Sequence, residues 1–394
     1  MKFPDLSNRG PVLIAATLLT CFWVMIITVF FIKTFLDTFD MGLYYQAMQN
    51  VFSGMLPWAN SVDFRYPPLT IVPTALSYLA SLAMGGQGWF LLSMWILMIG
   101  CEIITVFCVY WIARKMYPEY TAFIAALLTA TAISSTYFTI TKYDAFPTCL
   151  MMLAILFTVY DDKAKGYLMC VAGLFAKLFP IGAYPFMWIY NSRDTSLIQE
   201  GKKRAFWIAG ISAALLAVFW VLGYNRFLEY ASESYCDTIL YLISQCLSIA
   251  GINFPFPILS DMFRFLTVIA ILLIVWWAVT GPKTIARMIQ CILLSLLIVV
   301  FFSQYRSPEY IVWFTPLIAL LLADSYWGIA LFTAIQFIEY INFPWGFYRI
   351  WTNPAYTSPW AIPFFTIYFL IYGVLIWYLI KRKDPGTRTI TFVK

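Results

Sequence analysis

The chain has 394 residues, of which 62% are hydrophobic and only 11% charged, with a formal net charge of +6 and no histidine. A soluble domain averages about half apolar and about a quarter charged, so this balance excludes a soluble globular fold and predicts an all-α polytopic membrane protein. Without His, the commonest general base and zinc ligand are missing and histidine-based phosphatase chemistry is excluded, so carboxylates, Lys, Arg, Tyr or a thiol must carry any reaction. The positive balance is modest and no nucleic-acid partner is expected; where the charges lie matters more than their number.

Apolar runs bounded by charge or by Pro/Gly predict spans over 11–33, 89–113, 119–138, 145–160, 205–224, 262–280, 285–302, 309–323, 326–343 and 361–380. The first run is full length and lacks a small-residue cleavage site, so it reads as a retained span. The stretch 166–190 is apolar but interrupted by Lys177 and Pro180. Two short helices meeting there suit it, because broken helices at membrane depth are tolerated when buried in protein. The expectation is about twelve membrane segments, counting each broken half, in a single domain over 1–394.

Lys and Arg crowd one set of span ends, including Lys2, Arg9, Arg114, Lys115, Lys202, Lys203, Arg204, Lys283, Arg287 and Lys381. By the positive-inside rule that set is cytoplasmic, as are both termini, and the loops around 34–88, 139–144, 225–260, 303–308 and 344–360 face outward. The protein is thus expected to be multi-pass in the cell membrane. Asp37, Asp40, Asp63, Asp144, Glu229, Glu233, Asp237 and Glu309 fall on the outer side, several of them directly at span ends. Six cysteines sit in apolar runs as small core residues, while Cys236 and Cys246 share the second larger outer loop, 225–260, either as a disulfide or as free thiols.

The first outer loop, 34–88, is far longer than an ordinary connection. Met41, Tyr44, Tyr45, Met48, Val51 and Phe52 recur at helical spacing and predict an amphipathic helix lying along the membrane interface. Gly54 and Pro57 end it, and "RYPPLTIVPTALSYLASLA" (65–83) starts a second apolar helix with proline at its first positions. Asp40 falls at the start of the interfacial helix, where it reads either as an N-cap or as a functional carboxylate fixed at the membrane surface.

"DMGLYYQAMQNVFSGMLPW" (40–58) followed by "YPP" (66–68) resembles the first outer loop of the polyprenol-phosphate-sugar-dependent glycosyltransferases of the C superfamily (GT-C fold). It is closest to the family-87 mannosyltransferases, except that Trp58 replaces their usual Tyr. "KYDAFPTCLMMLAI" (142–155), "GLFAKLFPIGAYP" (173–185) and "QYRSPEYIVWFTPLIAL" (304–320) also resemble this family, in the same order. The resemblance implies a transferase with its active site on the outer face. It implies a polyprenyl- or dolichyl-phosphate-linked sugar as donor, with mannose as the sugar. Asp40 would be the base. The acceptor class stays open among glycolipid, lipid-linked oligosaccharide and glycoprotein.

Such a transfer breaks the bond from the anomeric carbon to the phosphate oxygen through an oxocarbenium-like transition state. A carboxylate can take the acceptor proton, and cations can stabilise the departing phosphate. Asp40 is therefore the expected catalytic base, with Asp37, one turn earlier, as its competitor. Lys142, Lys177 and Arg306 are the expected phosphate-side cations, since charge beside apolar spans is costly unless paired or functional. Lys142 reads equally as a structural partner of Asp144, Lys177 as a snorkelling residue, and Arg306 as a surface partner of Glu309. Tyr44, Trp58 and Tyr66 read as sugar-stacking rings or as an aromatic belt. Glu102 and Glu339 are intramembrane carboxylates that no sequence pattern ties to the site. Asp40 with Asp144 or Glu309 could hold a divalent ion, but no D-x-D spacing occurs in the outer loops and the resemblance implies metal-free transfer, so no cofactor is expected. A transporter or lipid-linked sugar flippase is the alternative, since it shares the broken helix and buried charges. No internal repeat supports it.

Overall fold

The protein is described by a computed structural model covering residues 8–31, 36–55, 66–193, 196–201, 206–221, 237–346 and 360–382. Among these residues every regular element is helical. α1 (Gly10–Ile26) continues through a π-helical turn to Phe31, and α2 (Phe39–Phe52) follows. Then come α3 (Ile71–Met84), α4 (Gln87–Ala113), α5 (Glu119–Ala130), α6 (Ile133–Thr141), α7 (Ala145–Val159) and α8 (Lys163–Ala176). The second half holds α9 (Tyr184–Asn191), α10 (Leu197–Glu200), α11 (Phe206–Val221), α12 (Ile239–Ile249), α13 (Phe256–Thr280) and α14 (Ile285–Phe302). α15 (Ile311–Leu322), α16 (Tyr326–Tyr340) and α17 (Ala361–Lys381) complete it.

Among the described residues, five helices are long and apolar enough to cross a membrane: Gly10–Phe31, α4, α13, α14 and α17. The predicted span 119–138 is instead two helices, α5 and α6, bent by 50°. Together they pass the same test as one broken span. α7 and α15 are apolar but only 15 and 12 residues long. At 1.5 Å per residue each is shorter than a hydrocarbon core of about 30 Å. α13 turns most of its surface outward, including Phe265, Leu272, Leu273 and Trp276. α14 and α15 pack into the centre, where Ile292, Leu297, Phe314 and Leu320 are buried.

The predicted interfacial helix is α2, with Met41, Tyr44, Ala47 and Met48 buried against Tyr78, Phe90 and Met94 of α3 and α4. Its expected face is narrower than the spacing suggested, because Phe52 remains exposed. Asp40 is not its cap. Thr38 occupies that position, and the Phe39 N–H donates to Asp37 Oδ1 at 3.2 Å. The Asp40 carboxylate, in the first turn of the helix, is therefore left to face elsewhere. α3 ends at Gly85, whose φ of +87° is a left-handed geometry that glycine adopts without strain.

The break after α8 has a local cause. Pro180 has no N–H to give the Ala176 carbonyl, so the ladder cannot continue. That carbonyl instead accepts from Thr70 Oγ1 at 2.9 Å and Tyr143 OH at 3.1 Å. Lys177 follows in an extended conformation, and a 3-10 turn (Phe179–Ala183) leads into α9. Gly173 permits the fold-back, because a Cβ there would lie 2.6 Å from Pro180 Cβ.

Candidate active site

Three junctions converge: the corner where α6 gives way to α7, the break after α8, and the segment that opens α2. The first product is a lysine held between two carboxylates. Lys142 Nζ lies 2.7 Å from Asp37 Oδ2 and 2.8 Å from Asp40 Oδ2. Lys142 stands just past the end of α6 and is 7% exposed. The two acids sit at the start of α2, and Asp37 is further anchored by its own N–H, which donates to Tyr137 OH at 3.1 Å. Burial alone would lower the Lys142 pKa. The carboxylates of Asp40, Glu309 and Asp37 outweigh it and hold the ammonium well above the ordinary lysine range.

The second product is a lysine in an aromatic frame. Lys177 Nζ lies 2.7 Å from Asp144 Oδ1, and the Trp313 indole donates to the same oxygen at 2.6 Å. The ammonium also faces the rings of Tyr143, Trp313 and Tyr310 at 5.2, 5.2 and 5.5 Å. Trp313 is itself clamped by near-parallel stacking on Tyr310 at 3.8 Å and Phe179 at 4.0 Å. Glu309, in the 3-10 turn Pro308–Tyr310 that opens α15, receives the Ser307 hydroxyl. Its charged neighbours are Lys177, Lys142, Asp144 and Asp40. The cluster thus holds four carboxylates against two ammonium groups.

Several expected partners differ from the sequence reading. Lys142 does not pair with Asp144; it takes Asp37 and Asp40, while Asp144 takes Lys177 and Trp313. The reason is geometric: Lys142 ends one helix and Asp144 begins the next, so their side chains diverge from a two-residue corner. Lys177 is paired, not snorkelling.

Arg306 is neither at the surface nor bound to Glu309. Its side chain is fully buried, with Nη1 at 3.0 Å from Asp237 Oδ2 and Nη2 at 2.8 Å from Glu339 Oε1. Tyr368 hydrogen-bonds both Arg306 and Glu339, and Tyr372 donates to Glu339 as well. Burial pushes the Asp237 carboxyl up to about 7, against the pull of Arg306 and with help from Glu339. Glu339 thus belongs to a closed node that ties α16 and α17 to the loop before α12.

Tyr44 is 2% exposed and meets Tyr66 and Tyr143 edge to face at 5.2 and 5.7 Å. It is a packing residue in this arrangement, neither a belt residue nor an open platform. Burial raises the phenol pKa of both Tyr44 and Tyr66, and the Asp40 charge adds to it. Trp58 lies outside the described residues, as does Cys236; Cys246 carries a free thiol. Glu102 is buried in α4 with Thr139 Oγ1 at 3.4 Å. Among the described residues no group of three His, Cys, Asp or Glu is arranged to hold a metal ion.

Sequence reasoning missed Trp313, Tyr143 and Tyr310 as parts of the site, and Asp237 as a partner of Arg306. The signal for the first was present in "SPEYIVW": Tyr310 and Trp313 are one turn apart, so they share a helix face.

No family pattern matches the sequence, and no curated protein is similar to it. Among solved structures, the chain is similar to the crystal structure of ArnT from Cupriavidus metallidurans bound to undecaprenyl phosphate. The TM-score is 0.53 at 15% identity, over 97% of this chain and 74% of that one. The chain has the ArnT fold. The likeness runs nearly the full length of this chain.

Proposed function

We propose that the protein is a glycosyltransferase that moves a monosaccharide from a polyprenyl-phosphate donor to an acceptor hydroxyl, with Asp40 as general base. The observation that carries this reading is the Asp40–Lys142 pair, a carboxylate and an ammonium 2.8 Å apart beside the end of the first span. The neighbour's bound undecaprenyl phosphate supports a lipid-phosphate donor on the same fold.

The chemistry follows from the residues. The acceptor oxygen attacks the anomeric carbon and passes its proton to Asp40. The bond from that carbon to the phosphate oxygen breaks, and its electron pair leaves with the polyprenyl phosphate. Lys142 is shared by two acids, so it can stay tethered to Asp37 while its charge turns to the phosphate. Lys177, held by Asp144 and screened by three rings, supplies the second cation. Arg306 acts on this site indirectly, by fixing the ends of α15 and α16.

The finer reading is that of the family-87 mannosyltransferases: mannose as the sugar, a dolichyl-type lipid, and transfer without a metal ion. The site faces outward in the cell membrane, with both termini cytoplasmic. The short apolar helices complete about twelve membrane segments. The acceptor is a glycolipid, a lipid-linked oligosaccharide or a glycoprotein.

The test is a panel of radiolabelled polyprenyl-phosphate sugars and nucleotide sugars offered to the purified chain in liposomes. Transfer from a lipid phosphate sugar, fastest with mannose, is expected. Transfer only from a nucleotide sugar contradicts the donor. Movement of intact lipid-linked sugar between leaflets without transfer favours the transporter alternative, which the break at Lys177 would also suit.

A further inference from the structure

A second basic site lies at the opposite end of α14 from Arg306. α14 runs 18 residues from Ile285 to Phe302, which separates its two ends by about 27 Å. At the near end, Lys283 and Arg287 flank a shallow recess walled by Phe186, Ile189, Tyr190 and Met288 and open to solvent. Among the described residues no carboxylate lines it.

Both cations are held in place but not neutralised. Lys283 Nζ donates to the Ser192 carbonyl at 3.2 Å. The Arg287 guanidinium lies 3.6 Å over the Trp277 ring. Its Nε and Nη1 are buried and, among the described residues, have no hydrogen-bond partner. Among the described residues neither cation has a carboxylate within ion-pair distance, unlike Lys142, Lys177, Arg193, Arg306 and Arg382. Two buried guanidinium nitrogens without an acceptor cost free energy unless an acceptor arrives. The N-terminus of α14 adds its partial positive charge to the same recess.

We propose that this recess binds a phosphate-bearing anion, with Arg287 and Lys283 as the ligating cations. The planar guanidinium suits bidentate contact to phosphate oxygens, and the ammonium supplies a second point of charge. The placement favours a phospholipid headgroup. Arg287 stacks at the end of the outward-facing α13, beside exposed Trp276, a residue type enriched at membrane–water interfaces.

The experiment uses the purified full chain in two arms. In the first, native mass spectrometry counts lipid retained from vesicles of equal phosphatidylglycerol and phosphatidylcholine. In the second, the melting temperature is read against millimolar inorganic phosphate, with sulfate-free chloride at equal ionic strength as control. The wild type is expected to retain phosphatidylglycerol selectively, and the Lys283→Gln/Arg287→Gln variant to retain about tenfold less. Protection by inorganic phosphate that the same variant loses would support the site with a soluble source of the anion. The Lys283→Arg/Arg287→Lys variant keeps the charge and controls for folding; it should retain more lipid than the double Gln variant. A wild type that shows neither selective retention nor phosphate protection overturns the proposal, whatever the variants do. So does a double Gln variant that matches the wild type in both lipid retention and phosphate protection.

Discussion

Asp40 Oδ2 lies 2.8 Å from the ammonium of Lys142, a residue 102 positions later in the chain. Lys142 also grips Asp37 at 2.7 Å, so one cation sets the geometry of both acids. Removing it leaves two carboxylates side by side. Lys142→Ala should lower the melting temperature and cut turnover at least tenfold. Asp37→Asn keeps the Lys142–Asp40 pair and should lower turnover far less. A stable Lys142→Ala variant with full turnover, measured on purified protein with lipid-linked sugar, would break this link.

The Lys177 frame makes a separable prediction. Lys177→Ala removes a cation but leaves the Trp313–Asp144 hydrogen bond to hold the corner together. Donor affinity should fall about tenfold or more, as for loss of a charge-assisted contact to phosphate. Asp144→Asn should cost stability as well, since it removes the charge paired with Lys177 and leaves only a weaker, neutral acceptor for Lys177 and Trp313 to share. Unchanged donor affinity in Lys177→Ala would move the phosphate elsewhere.

Arg306 is predicted to act through the fold. Truncating one partner of a buried ionic cluster costs about 3–5 kcal/mol, because the remaining charges are left uncompensated. Arg306→Ala should therefore sharply lower folded yield and melting temperature, and Arg306→Lys less so. Donor affinity per folded molecule should hold in the Lys variant. A large loss of donor affinity at unchanged melting temperature would restore Arg306 as a direct ligand.

That node also carries a pH signature. Asp237 titrates near 7 in the folded protein and near 3.8 unfolded. Between those values the folded state holds a proton that the unfolded chain has released, so stability falls as pH rises through the window. Thermal melts from pH 5 to 8 should show this fall in the wild type and a shallower one in Asp237→Asn. Parallel curves would mean that Asp237 is ionised throughout.

The long apolar helices were legible because a run of some twenty apolar residues has few other destinies. The broken helix was legible too, since Pro180 within an apolar stretch removes a backbone donor wherever it folds. Asp40, Lys142 and Lys177 could be nominated from charge placed beside spans. Their pairing could not, because it depends on where the α6–α7 corner aims two side chains only two residues apart. Lys142 and Asp144 are neighbours in sequence yet bind different partners. Arg306 and Glu309 mislead in the same way: one turn apart, they face a sealed node and the central cluster. Glu339 finds its role only through α16 packing against α17, a contact with no local signature.

The central claim is that Asp40 takes the acceptor proton, and Asp40→Asn tests it most directly. The amide keeps the shape and can still face Lys142, but it cannot accept the proton. With purified protein, saturating polyprenyl-phosphate sugar and a fixed acceptor, turnover should fall by about 10²–10⁴ while donor binding and melting temperature stay near wild type. Near wild-type turnover in Asp40→Asn, with Asp37→Asn as the inactive partner, would contradict the account and pass the base role to Asp37.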